Sequence, residues 1–235
     1  MQPAERLIVA LDRSSREDVL RMVDELAGVA GVFKLGLQAF VANGPGLVET
    51  IARGGHRVFL DLKLHDIPNT VARAVGEAAH LGVSMLTIHA SGGAAMMRAA
   101  AEAASGSPLL LLAVTVLTSL DDDALGEVGI SGGSESAVVR LARLAQASSA
   151  GGVVASPREI ASIRAACGEG LRIVTPGIRA AGGNADDQAR TLSAREAIAA
   201  GADWIVVGRP ITDAPDPRAA ARAIVAEISG VDRGK

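Results

Sequence analysis

The amino-acid sequence predicts an α/β protein, a single (β/α)8 barrel of the TIM type spanning residues 1–235 as one domain. Three observations lead there. Eight short apolar, β-branched runs recur along the whole chain, and the intervals between them are long enough for a helix each. No Pro/Gly/Ser-rich linker and no shift in composition divides the 235 residues.

In order, the runs are LIVALD (7–12), GVFKLG (31–36), HRVFLDLK (56–63), SMLTIHA (84–90), PLLLLAVTV (108–116), GVVAS (152–156), LRIVTP (171–176) and ADWIVVG (202–208). Their near-continuous apolarity is what a parallel strand covered on both faces requires. Helix starts are marked by their own chemistry. Ser14 with Glu17, Ser156 with Glu159 and Ser193 with Glu196 fit the capping box, and Pro157 stands at a first helical position. After Ser14, Val19, Leu20, Val23 and Leu26 form one apolar helical stripe. A doubly wound open sheet is the alternative architecture. It normally carries a Gly-rich fingerprint after the first strand, whereas LIVALD is followed by Arg13-Ser14-Ser15-Arg16, which disfavours a dinucleotide site.

At 49% hydrophobic and 21% charged residues the chain can bury a sizeable core, which excludes disorder, collagen and coiled coil as global readings. The net charge of −3 and only four aromatic residues (Phe33, Phe40, Phe59, Trp204) offer neither a basic footprint nor a stacking platform for nucleic acid. One cysteine, Cys167, cannot form an intramolecular disulfide, and its Ala-rich surroundings read as packing. With no secretory leader and no apolar run of about 18 residues, the expectation is a soluble cytoplasmic protein without a membrane partner.

In a barrel, chemistry belongs at the carboxyl ends of the strands and the loops after them. The polar residues there are Asp12, Lys34, Asp61 with Lys63, His89, Thr118 with Ser119, Thr175, and Gly208 with Arg209. The densest segment is DLKLHDIPNT (61–70). In an extended strand Asp61 and Lys63 point to one face while Leu60, Leu62 and Leu64 point to the other, so a carboxylate and an ammonium would share the barrel interior. Asp66 then opens the loop and Pro68 starts the following helix. A self-neutralising structural ion pair is the plain alternative. The lysine count favours chemistry: of 23 basic side chains 20 are arginine, and two of the three lysines, Lys34 and Lys63, lie in apolar strands beside strand-end carboxylates. Arginine does not readily lose its proton, whereas lysine can serve as acid or base.

A second cluster has the character of a phosphate site. TPGIRAAGGNADDQAR (175–190) follows the seventh strand and Gly208-Arg209-Pro210 ends the eighth, where barrels commonly bind phosphate with backbone N–H groups and a cation. Arg209 is the leading cation, and residues 177–190 form a candidate lid with Gln188 as a donor. His89 and His65 read as structural or ambiguous, His56 and His80 as surface or element-end positions. No His/Cys/Asp/Glu spacing suggests zinc, and no Gly-x-Ser-x-Gly elbow is present.

These residues together resemble the orotidine 5′-phosphate decarboxylase family in its bacterial short form. The matching elements are LIVALD (7–12), FKLG (33–36), DLKLHDIPNTV (61–71), VTVLTS (114–119), TPGIR with DQAR (175–190) and VVGRPI (206–211), in the family's order across nearly the whole chain. Metal-dependent sugar-phosphate decarboxylases of the same superfamily are similar at the third strand but carry an acidic metal ligand at the end of the second, where this chain has Lys34. The resemblance implies cofactor-free and metal-free decarboxylation of orotidine 5′-phosphate to UMP. It implies that Asp12 and Lys34 hold the ribose hydroxyls, that Asp61 sits beside the scissile carboxylate and that Lys63 delivers the proton. Asp66 would complete a Lys34-Asp61-Lys63-Asp66 network across a homodimer interface, with Ile67 and Thr70 lining the partner's pocket. Thr118, with Ser119 adjacent, and Pro176 would meet the pyrimidine; Arg179, Gln188, Gly208 and Arg209 would hold the phosphate. Two alternatives remain at this level: a metal-dependent sugar-phosphate decarboxylase or aldolase, and a barrel that binds a nucleotide without turnover.

Overall fold

A computed structural model describes residues 1–178 and 192–231. A strand falls on each of the eight apolar runs, the third extending one residue beyond its run: β1 (Leu7–Ala10), β2 (Val32–Gly36), β3 (Val58–Leu64), β4 (Met85–His89), β5 (Leu110–Val114), β6 (Gly152–Val154), β7 (Arg172–Thr175) and β8 (Trp204–Val207). They pair in parallel in chain order, and β8 closes on β1 through the register Ile8 to Val206. Parallel neighbours need crossover connections. Helices supply them here, for example Arg16–Leu26 between β1 and β2 and Pro68–His80 between β3 and β4. The architecture is the (β/α)8 barrel that the run count predicts.

Alternation along the strands sorts side chains into two cores. Inward-facing Ile8, Ala10, Val32, Phe59, Met85, Leu112, Val174, Trp204 and Val206 pack the barrel interior. Outward-facing residues such as Leu7, Val9, Phe33, Leu35, Leu60, Leu86 and Ile173 pack against the helices. The first helix buries Val19, Met22, Val23 and Leu26, with Leu20 packed at the margin of the same core. The stripe is thus one residue richer, at Met22, than the sequence reading.

Two of the three capping boxes form as expected, at Ser156 with Glu159 and at Ser193 with Glu196. Pro157 opens a 3-10 turn, Pro157–Glu159, that leads into the helix Ile160–Cys167. The third is corrected. The cap of the first helix is Ser15, whose hydroxyl accepts the N–H of Asp18 at 3.2 Å, while the hydroxyl of Ser14 accepts from Gln38 at 3.0 Å. The chain turns one residue later because Ser14 is engaged by the following βα unit. Cys167 is free and buried at the end of its helix, and burial pushes its thiol pKa up, in keeping with packing. Among the described residues no helix is long and apolar enough to cross a membrane.

At the opposite end of the barrel from the polar strand termini, Asp203 ties three elements together just before β8. Its carboxylate accepts from Arg164 (2.8 Å), from Arg172 (3.1 Å) and from the backbone N–H of Ile173 (2.8 Å). Arg164 in turn reaches the carbonyl oxygens of Gly201 and Leu171. Removing one partner of a buried, hydrogen-bonded ion pair leaves the other charge uncompensated. Asp203→Ala is therefore expected to lower folding stability by about 3 kcal/mol, measured by urea unfolding; a loss below about 1 kcal/mol would show that the cluster is no more than a surface ion pair.

Candidate active site

The polar residues of the strand ends gather at one mouth of the barrel. Asp12 follows β1, Lys34 is the third residue of β2, and Asp61 and Lys63 lie in the second half of β3. Parallel register sets Lys34 beside Ala10 and Phe59, and Gly36 beside Asp61. The result is a chain of alternating charge. Lys34 Nζ stands 3.1 Å from Asp12 Oδ1 and 3.5 Å from Asp61 Oδ2, and Lys63 Nζ donates to both oxygens of Asp61, at 2.8 and 2.9 Å. Lys34 and Asp61 keep only 10% and 13% of their side-chain surface exposed, whereas Asp12, at the outer end, keeps 54%.

Lys63 does not sit in a regular strand. Its φ is +51°, in the left-handed region that side-chain-bearing residues rarely adopt, and the β3–β4 register shifts between Leu60 and Leu64. The simple alternation expected of Asp61 and Lys63 is thus replaced by a bulge. The two side chains still meet, because the bulge turns the ammonium back onto the carboxylate. Gly36 matters for the same geometry: a Cβ there would lie 2.9 Å from Asp12 Oδ1 and 3.1 Å from Lys34 Nζ, so a side chain would displace that pair.

A cavity of about 160 Å³ opens above the charges. Lys34, Asp61, Lys63 and Thr118 provide its polar lining, and Val114, Val116, Leu117, Val154, Pro176 and Val206 belong to its apolar wall. An apolar wall around fixed charges strengthens their action on a bound group by lowering the local dielectric. Burial raises the pKa of Asp61, but the Lys34 and Lys63 charges, with hydrogen bonds from Lys63 and Thr87, outweigh it and hold the carboxyl below the ordinary aspartate value. Half-buried His89 has its pKa lowered, by burial first and then by His65 and Lys63, which favours a neutral ring beside the ammonium. The His65 and His89 rings lie 5.5 Å apart.

Not every expected site residue enters this cavity. Thr118 and Pro176 line it; Ser119 is exposed beside it. Asp66, Ile67 and Thr70 are exposed on the rim, where Asp66 Oδ1 accepts the backbone N–H of Ile67 at 2.6 Å and Ile67 is 66% exposed. Gly208 caps the short helix Arg209–Thr212, and Arg209 is exposed. Arg179, Gln188 and most of the candidate lid lie outside the described residues. Among the described residues no group of three or more His, Cys, Asp or Glu side chains is arranged to hold a metal ion.

Thr87 joins the site without being among the residues expected from the sequence. Its hydroxyl accepts the backbone N–H of Lys63 and donates to Asp61 Oδ1, both at 2.9 Å. The available signal was a lone hydroxyl within the apolar SMLTIHA run, two residues before His89 and hence on the same strand face.

Comparison with known proteins gives concordant matches. The model of the "Orotidine 5'-phosphate decarboxylase / HUMPS family" matches residues 5–224. A curated orotidine 5′-phosphate decarboxylase of Anaeromyxobacter sp. (strain K) is 54% identical over 228 residues, 97% of this chain and all of that protein. That of Moorella thermoacetica is 52% identical over 239 residues, 98% of this chain and 95% of its own. The crystal structure of orotidine 5′-phosphate decarboxylase from Lactobacillus acidophilus superposes with a TM-score of 0.86 at 37% identity, covering 95% of this chain and 99% of that one.

A carboxyl whose folded pKa is depressed contributes stability above its unfolded pKa of about 3.9 and loses that contribution as pH falls through the folded value. The carboxyl carbon resonance of Asp61 is expected to titrate with a midpoint below about 3.9; a midpoint at or above it would mean that burial outweighs the two ammonium groups.

Proposed function

The chain belongs to the orotidine 5′-phosphate decarboxylase / HUMPS family, and from that premise we propose how its residues carry out the decarboxylation of orotidine 5′-phosphate to UMP in pyrimidine biosynthesis. The observation that carries the proposal is the Asp61 carboxylate held between two ammonium groups at the foot of an apolar-walled cavity.

Carbon dioxide leaves as a neutral molecule, and the electron pair of the broken bond stays on a vinylic carbon with no adjacent sink. A cation must stand next to that pair and then give it a proton. Lys63 fills both roles: its ammonium stabilises the developing carbanion and transfers a proton to it, and the resulting neutral amine recovers a proton from solvent. Asp61 orients Lys63 by a two-oxygen contact and lies beside the substrate carboxylate, where like charge favours its departure. Asp12 and Lys34, joined at 3.1 Å, hold the ribose hydroxyls. Thr118 and Pro176 meet the pyrimidine, a placement supported by their position on the cavity wall.

The phosphate is assigned to Gly208 and Arg209 with Arg179 and Gln188. Exposed Arg209, at the start of the short helix after β8, supports this. Enzymes lower barriers by roughly 8–23 kcal/mol, and this reaction needs the upper part of that range, so binding energy from the remote phosphate has to order the charged residues and exclude water. No metal is assigned a part in the chemistry. The reason is local: the Lys34 ammonium lies between Asp12 and Asp61, so a divalent cation there would meet a positive charge.

We assign the protein to the cytoplasm, as one barrel domain that works as a homodimer. Asp66, Ile67 and Thr70 stand apart from the cavity of their own chain, and an exposed Ile67 at the rim is the kind of apolar side chain that a second copy would cover. In this arrangement Asp66 of the partner subunit completes the charge alternation beside Lys63.

Two linked outcomes are expected. Chelator-treated protein should deplete the ultraviolet absorbance of orotidine 5′-phosphate, and Lys63→Ala and Asp66→Ala should each lower kcat by at least about a hundredfold. Mixing and re-equilibrating the two inactive variants should then restore about a quarter of wild-type activity, because a mixed dimer holds one intact site. A chelator-sensitive rate would contradict the metal-free chemistry, and failure of the mixture to recover activity would contradict the shared site.

A further inference from the structure

The bulge that carries Lys63 raises a question of hydrogen bonding. On β3 and β4, Leu60 faces Leu86 and Leu64 faces Ile88, so three residues, Asp61, Leu62 and Lys63, oppose the single residue Thr87. The backbone N–H of Lys63 bonds instead to the side chain of Thr87, at 2.9 Å. The same Thr87 oxygen is 2.9 Å from Asp61 Oδ1.

The polarity of this arrangement is forced. A backbone N–H can only donate, and an ionised carboxylate can only accept. A hydroxyl with one hydrogen and two lone pairs serves both partners in one way only, receiving from Lys63 and giving to Asp61. Thr87 is fully buried and is not part of the cavity lining, so it does not touch a ligand there. It touches the two groups that would.

We propose that Thr87 is a positioning residue of the decarboxylation, its hydroxyl locking the left-handed backbone of Lys63 to the carboxylate of Asp61 so that the ammonium is presented at one fixed place. The proposal rests on Lys63 being the proton donor. Each contact is made by one atom, so removing that atom frees both at once: the bulge loses the acceptor of its N–H, and Asp61 Oδ1 is left with the Lys63 ammonium as its partner. A misplacement of a catalytic group by an ångström or less is enough to cost rate without costing binding.

Thr87→Val removes the hydroxyl and keeps the branched shape; Thr87→Ser keeps the hydroxyl and removes the methyl. The Val variant is expected to lose about tenfold to a hundredfold in kcat, with KM changed by less than about threefold, and the Ser variant to recover most of that loss. The Asp61 carboxyl should titrate at higher pH in the Val variant than in the Ser variant. The other charged and titratable groups around it, Asp12 after β1, Lys34 on β2, Lys63 on β3, His65 after it and His89 on β4, are common to both. A merely structural threonine would lower the thermal midpoint in both variants and leave the kcat ratio and the Asp61 titration alone. If Thr87→Val does not fold, Thr87→Ala makes the same comparison. Equal kcat in the hydroxyl-free and Ser variants would overturn the positioning role with the assignment of Lys63 intact. An active Lys63→Ala protein would overturn that assignment, and this role with it.

Discussion

The Asp61 carboxylate between the Lys34 and Lys63 ammonium groups is the interaction on which the rest of this structure turns. Two cations at the mouth of an apolar barrel repel each other and lose hydration, and burying either alone would be strongly unfavourable. Asp61 offsets both, at 3.5 Å to Lys34 and at 2.8 Å to Lys63. Asp12 takes up the remaining side of Lys34. The positive charge beside the cavity is therefore retained without being quenched by solvent, which is what stabilising a localised carbanion demands.

That arrangement needs a rigid frame, and the barrel divides the work between its ends. Inward-facing Trp204, Met85 and Phe59 fill the interior below, and the Asp203, Arg164 and Arg172 cluster clamps β7, β8 and a helix away from the chemistry. The other ends of the strands carry the charged groups that line the cavity. Strain is concentrated there too: Lys63 is one of only two non-glycine residues with positive φ among the described residues. Left-handed backbone at a charged side chain persists only where the surroundings over-determine it. Here they do so through the paired register on either side of the bulge and the Thr87 hydroxyl.

Much of this was legible in the sequence, for reasons that can be named. Parallel strands covered on both faces are continuous apolar runs, so all eight could be read directly. Lys34 and Lys63 stood out because arginine serves nearly every other cationic position. The sequence places the cap of the first helix one residue early because Ser14 and Ser15 are chemically alike and only the tertiary contact from Gln38 separates them. The meeting of Asp61 and Lys63 was anticipated from a period of two, yet the structure achieves it by breaking that period. Bulges leave no sequence signal when no glycine marks them. Thr87 is not legible because a single hydroxyl in an apolar strand is ordinary, and its two contacts arise from three residues on the neighbouring strand facing it alone. The rim residues Asp66, Ile67 and Thr70 are exposed and lie outside the cavity lining of their own chain, so their part in the site is read from the family resemblance and not from spacing.

The central claim is that Lys63 must give up a proton as well as hold a charge, and the most direct test is the kcat of Lys63→Arg on orotidine 5′-phosphate in the presence of chelator. Arginine keeps the positive charge but does not readily release its proton. A fall in kcat of at least about a hundredfold is expected in a protein that is still folded; a rate within about tenfold of wild type would reduce Lys63 to an electrostatic role.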